Sequence, residues 1–149
     1  MYMEQHKEND TICLLKECDS GTKMAVASID EVLDKILDPQ MRDLLTKTRS
    51  HHAELGNEIH SLLLSHRSEE KDPSLMAKGM SWLKTNMKMS MDESDAAIAD
   101  LMTGGCDMGI KSLHRYLNQY QAADAASRDI CRKLISIEEQ FRRDLHAYL

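Results

Sequence analysis

The sequence predicts an all-α protein, an up-down-up-down four-helix bundle with a short extra helix before helix 3. Three observations carry this. Aromatic residues make up only 4% of the chain, and glycine and proline are scarce, whereas strands draw on aromatic and β-branched side chains. Apolar residues recur at alternating steps of four and three, the stripe of a bundle helix. Two Asp-Pro pairs, Asp38-Pro39 and Asp72-Pro73, punctuate the stripes; Asp caps backbone amides and Pro fits the first helical position. With 149 residues the chain has the length of one domain with a real core. Residues 1–9 are polar and read as a flexible N-terminus, and 10–149 as a single bundle domain.

The first helix is expected from about Asp10 to Leu37, with Leu15, Asp19, Thr22, Val26, Ile29, Leu33 and Ile36 along its seam. It stops at Asp38-Pro39, which starts the second helix at once, so the two form an antiparallel hairpin. Helix 2 runs to about Ser65, with Met41, Leu45, Thr48, His52, Leu55, Ile59, Leu62 and His66 on its seam. A polar link, Arg67 to Lys71, leads to the second Asp-Pro and a shorter helix to about Lys88. Ser90-Met91-Asp92-Glu93 has the spacing of a capping box, in which a Ser hydroxyl and a Glu carboxylate satisfy each other's free amides, so helix 3 is expected to start there and run to about Tyr120. Gly104, Gly105 and Gly109 fall inside it, each costing roughly 1 kcal/mol against alanine; close helix contact or a kink would explain them. Asp124 is expected to cap helix 4, which carries Ile130, Leu134, Ile137, Phe141 and Leu145. Matched long helices and short links favour alternating directions.

Charge and cysteine usage narrow the function classes. A net charge of −6 argues against a nucleic-acid partner, which wants a basic face. No apolar run approaches a membrane span, and the N-terminus lacks a secretory pattern. Cys13, Cys18, Cys106 and Cys131 form no C-x-x-C pair, so neither a zinc framework nor a redox motif is present. A cytoplasmic location with reduced thiols is the expectation. The methionines at 76, 80, 87, 89 and 91 invite a copper or adaptable-groove reading, but at helical spacing the first three fit packing against the bundle.

Part of the chain resembles a known family. The run Asp38-Pro39, Met41-Arg42-Asp43-Leu44-Leu45, Arg49 and His51-His52-Ala53-Glu54-Leu55-Gly56 is similar to an uncharacterised bacterial ferritin-like four-helix-bundle family, a domain of unknown function. So are Trp82-Leu83-Lys84, and Gly105-Cys106-Asp107 followed by Lys111. The resemblance covers about residues 11–149 in layout and implies a ferritin-like fold without implying an activity. The family often carries an acidic residue partway along helix 1; here Gly21 is followed by Thr22, Lys23 and Met24.

Di-metal bundles of this kind take a Glu-x-x-His pair from each of two helices. The residues three before the seven histidines are Met3, Thr48, Arg49, Asn57, Leu63, Lys111 and Arg143, so those pairs are missing. Equal rise per residue places Met24, His52, Asp107 and Glu138 at one level near mid-bundle, beside Cys106. His52, Asp107 and Glu138 are therefore the candidate metal ligands, for iron, manganese or zinc. The plainer reading, preferred here, is that His52 hydrogen-bonds a polar neighbour such as Asp107, with no cofactor. Asp19 and Thr22 are polar seam positions that could fix register or pair with Glu58. His60, His66, His114 and His146 read as surface or helix-end residues, and no catalytic constellation is evident.

The expected function is that of a non-enzymatic cytoplasmic interaction or structural protein, a homo-oligomer (dimer or larger) that also has room for an unknown protein partner and engages neither nucleic acid nor membrane. Two alternatives stand beside it: a metal-binding oxidoreductase or storage protein using the mid-bundle level, and a small-molecule-binding bundle whose pocket the helix 3 glycines open.

Overall fold

The computed structural model describes residues 2–68, 83, 84, 86 and 92–149. The described chain forms four long helices: α1 (Tyr2–Val32), α2 (Pro39–Ser65), α3 (Asp95–Gln119) and α4 (Ala125–Leu145). Short 3-10 turns follow α1 at Leu33–Lys35 and α4 at His146–Tyr148. The expected helix over 73–88, with Trp82 and the methionines at 76, 80, 87, 89 and 91, lies outside the described residues except at Leu83, Lys84 and Asn86. So does Ser90 of the expected capping box.

The α2 and α4 starts follow the sequence signals. Asp38 Oδ1 accepts from the amides of Gln40 and Met41, at 2.8 and 3.1 Å, and Asp124 Oδ1 accepts from Ser127 N at 2.9 Å. The α3 start differs. Its N-cap is Ser94, whose hydroxyl accepts from Ala97 N, and Glu93 precedes the cap. Asp95, in the first turn, instead turns outward to the α1–α2 junction. Its two oxygens accept from the amides of Leu37 and Asp38, both at 2.9 Å. That claim on the backbone ends α1 five residues before the expected Leu37 and leaves Ile36 extended and fully buried. At its other end α1 begins at Tyr2 rather than near Asp10. Residues 2–9 are helical but exposed, because the packed part of α1 starts where Asp10 and Thr11 accept from the amides of Ala122 and Asp124.

Those same contacts fix the topology and correct the expected alternation. Asp95 sits at the start of α2 and the α3–α4 turn sits at the start of α1, so α3 runs parallel to α2. The order is up-down-down-up. Short hairpins join α1 to α2 and α3 to α4, while residues 66–94 connect opposite ends of the bundle. The alternating order took Arg67–Lys71 for a short link. An extended chain reaches roughly 3.3 Å per residue, so the whole connection can span helices about 40 Å long.

The core falls into two apolar clusters. One gathers Leu14, Leu15, Leu55, Ile59, Leu117 and Leu134 toward the α3–α4 turn. The other gathers Ile29, Val32, Ile36, Met41, Leu45, Ile98, Phe141 and Leu145 toward the α1–α2 turn. Each fully buried Leu or Ile contributes about 1.5–3 kcal/mol. Between the clusters lies a polar level with Thr22, Thr48 and His52, all buried. The α2 seam drifts off its 4,3 register at the end, where Leu63 replaces Leu62 in the core, as a straight helix of 3.6 residues per turn must against a 3.5 repeat.

Candidate functional site

His52 projects from α2 into the centre of the bundle and is fully buried. Its Nδ1 lies 2.8 Å from the Thr48 carbonyl oxygen, one turn back. A carbonyl only accepts, so Nδ1 carries the proton. Nε2 lies 2.5 Å from Glu138 Oε1 on α4. Burial of the ring opposes its protonation and is the largest single influence. The Glu138 bond, its charge and the Thr48 carbonyl together outweigh it and raise the His52 pKa above the usual imidazole value. The position beside Glu138 thus favours the charged form of the ring more than water does. The Cys106 thiol on α3 also bonds to Glu138, and burial ahead of that carboxylate's charge drives its pKa far up, keeping it a thiol.

The mid-bundle level expected from helical rise therefore exists, with a changed membership. His52 and Glu138 meet; Asp107 does not join them. It is exposed on the outer face of α3 and pairs with Arg142 Nη1 at 2.8 Å. The His52 partner is Glu138 rather than Asp107, because Asp107 follows Cys106 and residues one apart on a helix point some 100° apart. Met24 reaches the same level but lines a cleft. Glu54 and Glu58 are solvated as expected, and His60, His114 and His146 are exposed.

Asp19 is buried more deeply than a register-fixing seam residue requires. Its Oδ2 has no hydrogen-bond partner among the described residues. The Lys23 ammonium lies 3.1 Å away on the next turn, close enough for an ion pair but without hydrogen-bond geometry. Thr22 directs its hydroxyl back to the Asp19 carbonyl at 2.9 Å.

A cleft of about 290 Å³ opens between α1 and α3 at this level. Met24, Leu101, Met102, Met108 and Phe141 supply apolar walls, Gly105 and Gly109 supply bare backbone, and Cys106 and Glu138 reach its floor. The expected close-contact role of the α3 glycines is not observed. A Cβ at Gly104 or Gly105 would meet nothing within 4 Å, and one at Gly109 would meet only Glu138 Oε2, at 3.7 Å. Close contact belongs to Gly56, whose added Cβ would come within 3.2 Å of Thr22 Oγ1. Gly104 lies outside the cleft lining, so Gly104→Ala is expected to raise stability by about 0.5–1 kcal/mol through helix propensity alone, read as a higher urea midpoint with an unchanged slope. Toward the α3–α4 turn, Tyr116 bonds to Glu17 at the cleft wall. Burial, then that carboxylate, pushes the phenol up to about 12. Glu17 and Tyr116 were not singled out by sequence; their spacing carries no motif, and only the facing of α1 and α3 brings them together.

Metal chemistry of the ferritin type does not fit this donor set. Nε2, the one ring nitrogen free of the Thr48 carbonyl, is already held by Glu138. Among the described residues no three His, Cys, Asp or Glu side chains are grouped to hold an ion. No described helix is long and apolar enough to cross a membrane.

No family model and no curated protein matches the sequence. Among solved structures, the chain is similar to the X-ray structure of Dps from Thermosynechococcus elongatus. The TM-score is 0.72 at 16% identity, over 99% of this chain and 94% of that one. At that identity the likeness speaks for the fold: this chain is a ferritin-like four-helix bundle.

Proposed function

We propose that the protein is a non-enzymatic, small-molecule-binding bundle whose ligand sits between α1 and α3. The cleft carries the reading. It is mostly apolar with a few converging polar groups, at the low end of the ~300–1,000 Å³ typical of ligand sites. It opens where glycines withhold side chains that would have filled it. Assembly into a dimer or larger oligomer and a cytoplasmic location belong to the same proposal; light scattering of a strict monomer would remove the first.

Nuclear magnetic resonance titration with the neutral probes indole and 2-phenylethanol tests the cleft. Amide shifts are expected at Met24, Gly105 and Gly109, and Gly109→Met is expected to abolish them while leaving the helical circular dichroism intact. Shifts scattered over the surface, or unchanged in the filled variant, would refute it. The metal-binding alternative at His52 and Glu138 draws support from the fold and none from the donor geometry. Stoichiometric iron, manganese or zinc in tag-free protein, lost in His52→Ala, would restore it.

A further inference from the structure

We propose that Cys18 of α1 and Cys131 of α4 are a reversible redox pair, which a hydroperoxide oxidises to a disulfide tying the first helix of the bundle to the last. The inference does not depend on what the α1–α3 cleft binds.

The spacing of the four cysteines carries no redox motif; the pairing arises only where the helices meet. Cys18 and Cys131 are both wholly buried in the apolar cluster nearer the α3–α4 turn, and their thiols are hydrogen-bonded to each other. The Cys131 thiol also donates to the Leu113 carbonyl oxygen, at 3.7 Å. In the reduced pair the donors therefore run in sequence, from Cys18 to Cys131 and from Cys131 to Leu113. The two helices lie close beside the thiols. A Cβ on Gly21, three residues beyond Cys18, would meet Leu134 Cδ2 at 3.4 Å, and Leu134 is three residues beyond Cys131. Residues three apart share a helix face, and Gly21, Leu113 and Leu134 all line the cleft. The pair thus lies one layer behind the cleft wall, within reach of an oxidant as small as hydrogen peroxide.

The two thiols are not equivalent. The hydrogen bond from Cys18 lowers the Cys131 pKa below the ordinary thiol value; burial opposes it, and the charges of Arg128 and Arg132 add to it. The Cys18 pKa is raised, by the same bond first and by burial next. Cys131 is therefore the attacking sulfur, since the thiolate is the nucleophile. It attacks one peroxide oxygen: the S–O bond forms, the O–O bond breaks, and the second oxygen leaves as hydroxide, which takes up the Cys131 proton to become water. Cys18 then attacks the Cys131 sulfenic acid. The S–S bond forms, the S–O bond breaks, and hydroxide leaves with the Cys18 proton as water. The peroxide gains the two electrons that the thiols lose, and a dithiol reductant returns both thiols.

The test treats the folded, reduced full chain with hydrogen peroxide, removes the oxidant, blocks the remaining thiols with N-ethylmaleimide in urea and maps tryptic peptides by mass spectrometry. The peptides Glu17–Lys23 and Asp129–Arg132 are expected to appear joined, two hydrogens lighter than their sum, and to separate on treatment with dithiothreitol. Cys18→Ser is expected to leave a sulfenic acid at Cys131 that dimedone captures, and Cys131→Ser to leave Cys18 open to alkylation. The fold of both variants is checked by circular dichroism; if either does not fold, the map of the native chain decides alone. Cys13, which is exposed, reports that the oxidant is active. Alkylation of both buried thiols while Cys13 is oxidised overturns the inference. So does a link from either to Cys13 or Cys106, or a Cys18–Cys131 link that forms only when urea is present during oxidation.

Discussion

Replacing Glu138 by alanine is expected to cost about 3–5 kcal/mol of folding stability, the range for removing one partner of a buried ion pair. The substitution leaves the His52 imidazole buried without an acceptor for Nε2, and the Cys106 thiol loses the same carboxylate. Urea unfolding followed by circular dichroism measures it. A His52→Leu, Glu138→Leu double variant is expected to recover much of the loss, because apolar side chains join the two core clusters across the level that the pair now interrupts. A cost near zero for Glu138→Ala would mean that the two side chains do not act as a pair.

The same pair fixes a pH dependence. The folded-state pKa of His52 is raised above its ordinary value of 6.5. Protons are therefore bound more tightly by the folded chain. The contribution to stability is full below about 6.5 and falls as pH rises through the raised folded value. Denaturant midpoints measured from pH 6 upward should decline in the native protein. In Glu138→Ala burial, the largest influence, is opposed by the Thr48 carbonyl alone, so the His52 contribution should reverse sign and grow with pH. A native profile that rises through this range would refute the raised His52 pKa.

Asp19→Val is expected to move stability the other way, upward by about 1–3 kcal/mol. The carboxylate is almost wholly buried, and Oδ2 lacks a hydrogen-bond partner among the described residues, so its desolvation is incompletely offset. The pair with Lys23 spans one helical turn and ends on a partly exposed ammonium, where solvent screens the attraction. Valine approximates the shape of aspartate and suits a seam lined by Leu15 and Ile29. Helix propensity changes little, since Val and Asp rank together. A higher urea midpoint with an unchanged slope is the expected result. A lower midpoint would show that Asp19 holds a partner worth more than its burial costs.

Much of the fold was legible in the chain. The 4,3 stripes of α1 and α2 and the caps at Asp38 and Asp124 are local features, set by residues within a turn or two of each other. Helical rise is constant and both residues lie near the middle of their helices, so counting from the turns brought His52 and Glu138 to one level even though the turns lie at opposite ends. Direction was not legible. The amides of Leu37 and Asp38 are taken by Asp95, far away in sequence, and that contact, with those of Asp10 and Thr11 to the α3–α4 turn, sets α3 parallel to α2. Nor could the α3 glycines be assigned, because a missing Cβ permits either contact or space. Membership of the central level turned on rotation as well as height: Cys106 faces inward, and Asp107, one residue on, faces Arg142. Local periodicity and capping thus determined which residues form helices and which stripe each helix buries. Tertiary packing alone decided the order of the helices, the partner of His52 and the opening of a cleft, because these depend on how rods meet rather than on how each one forms.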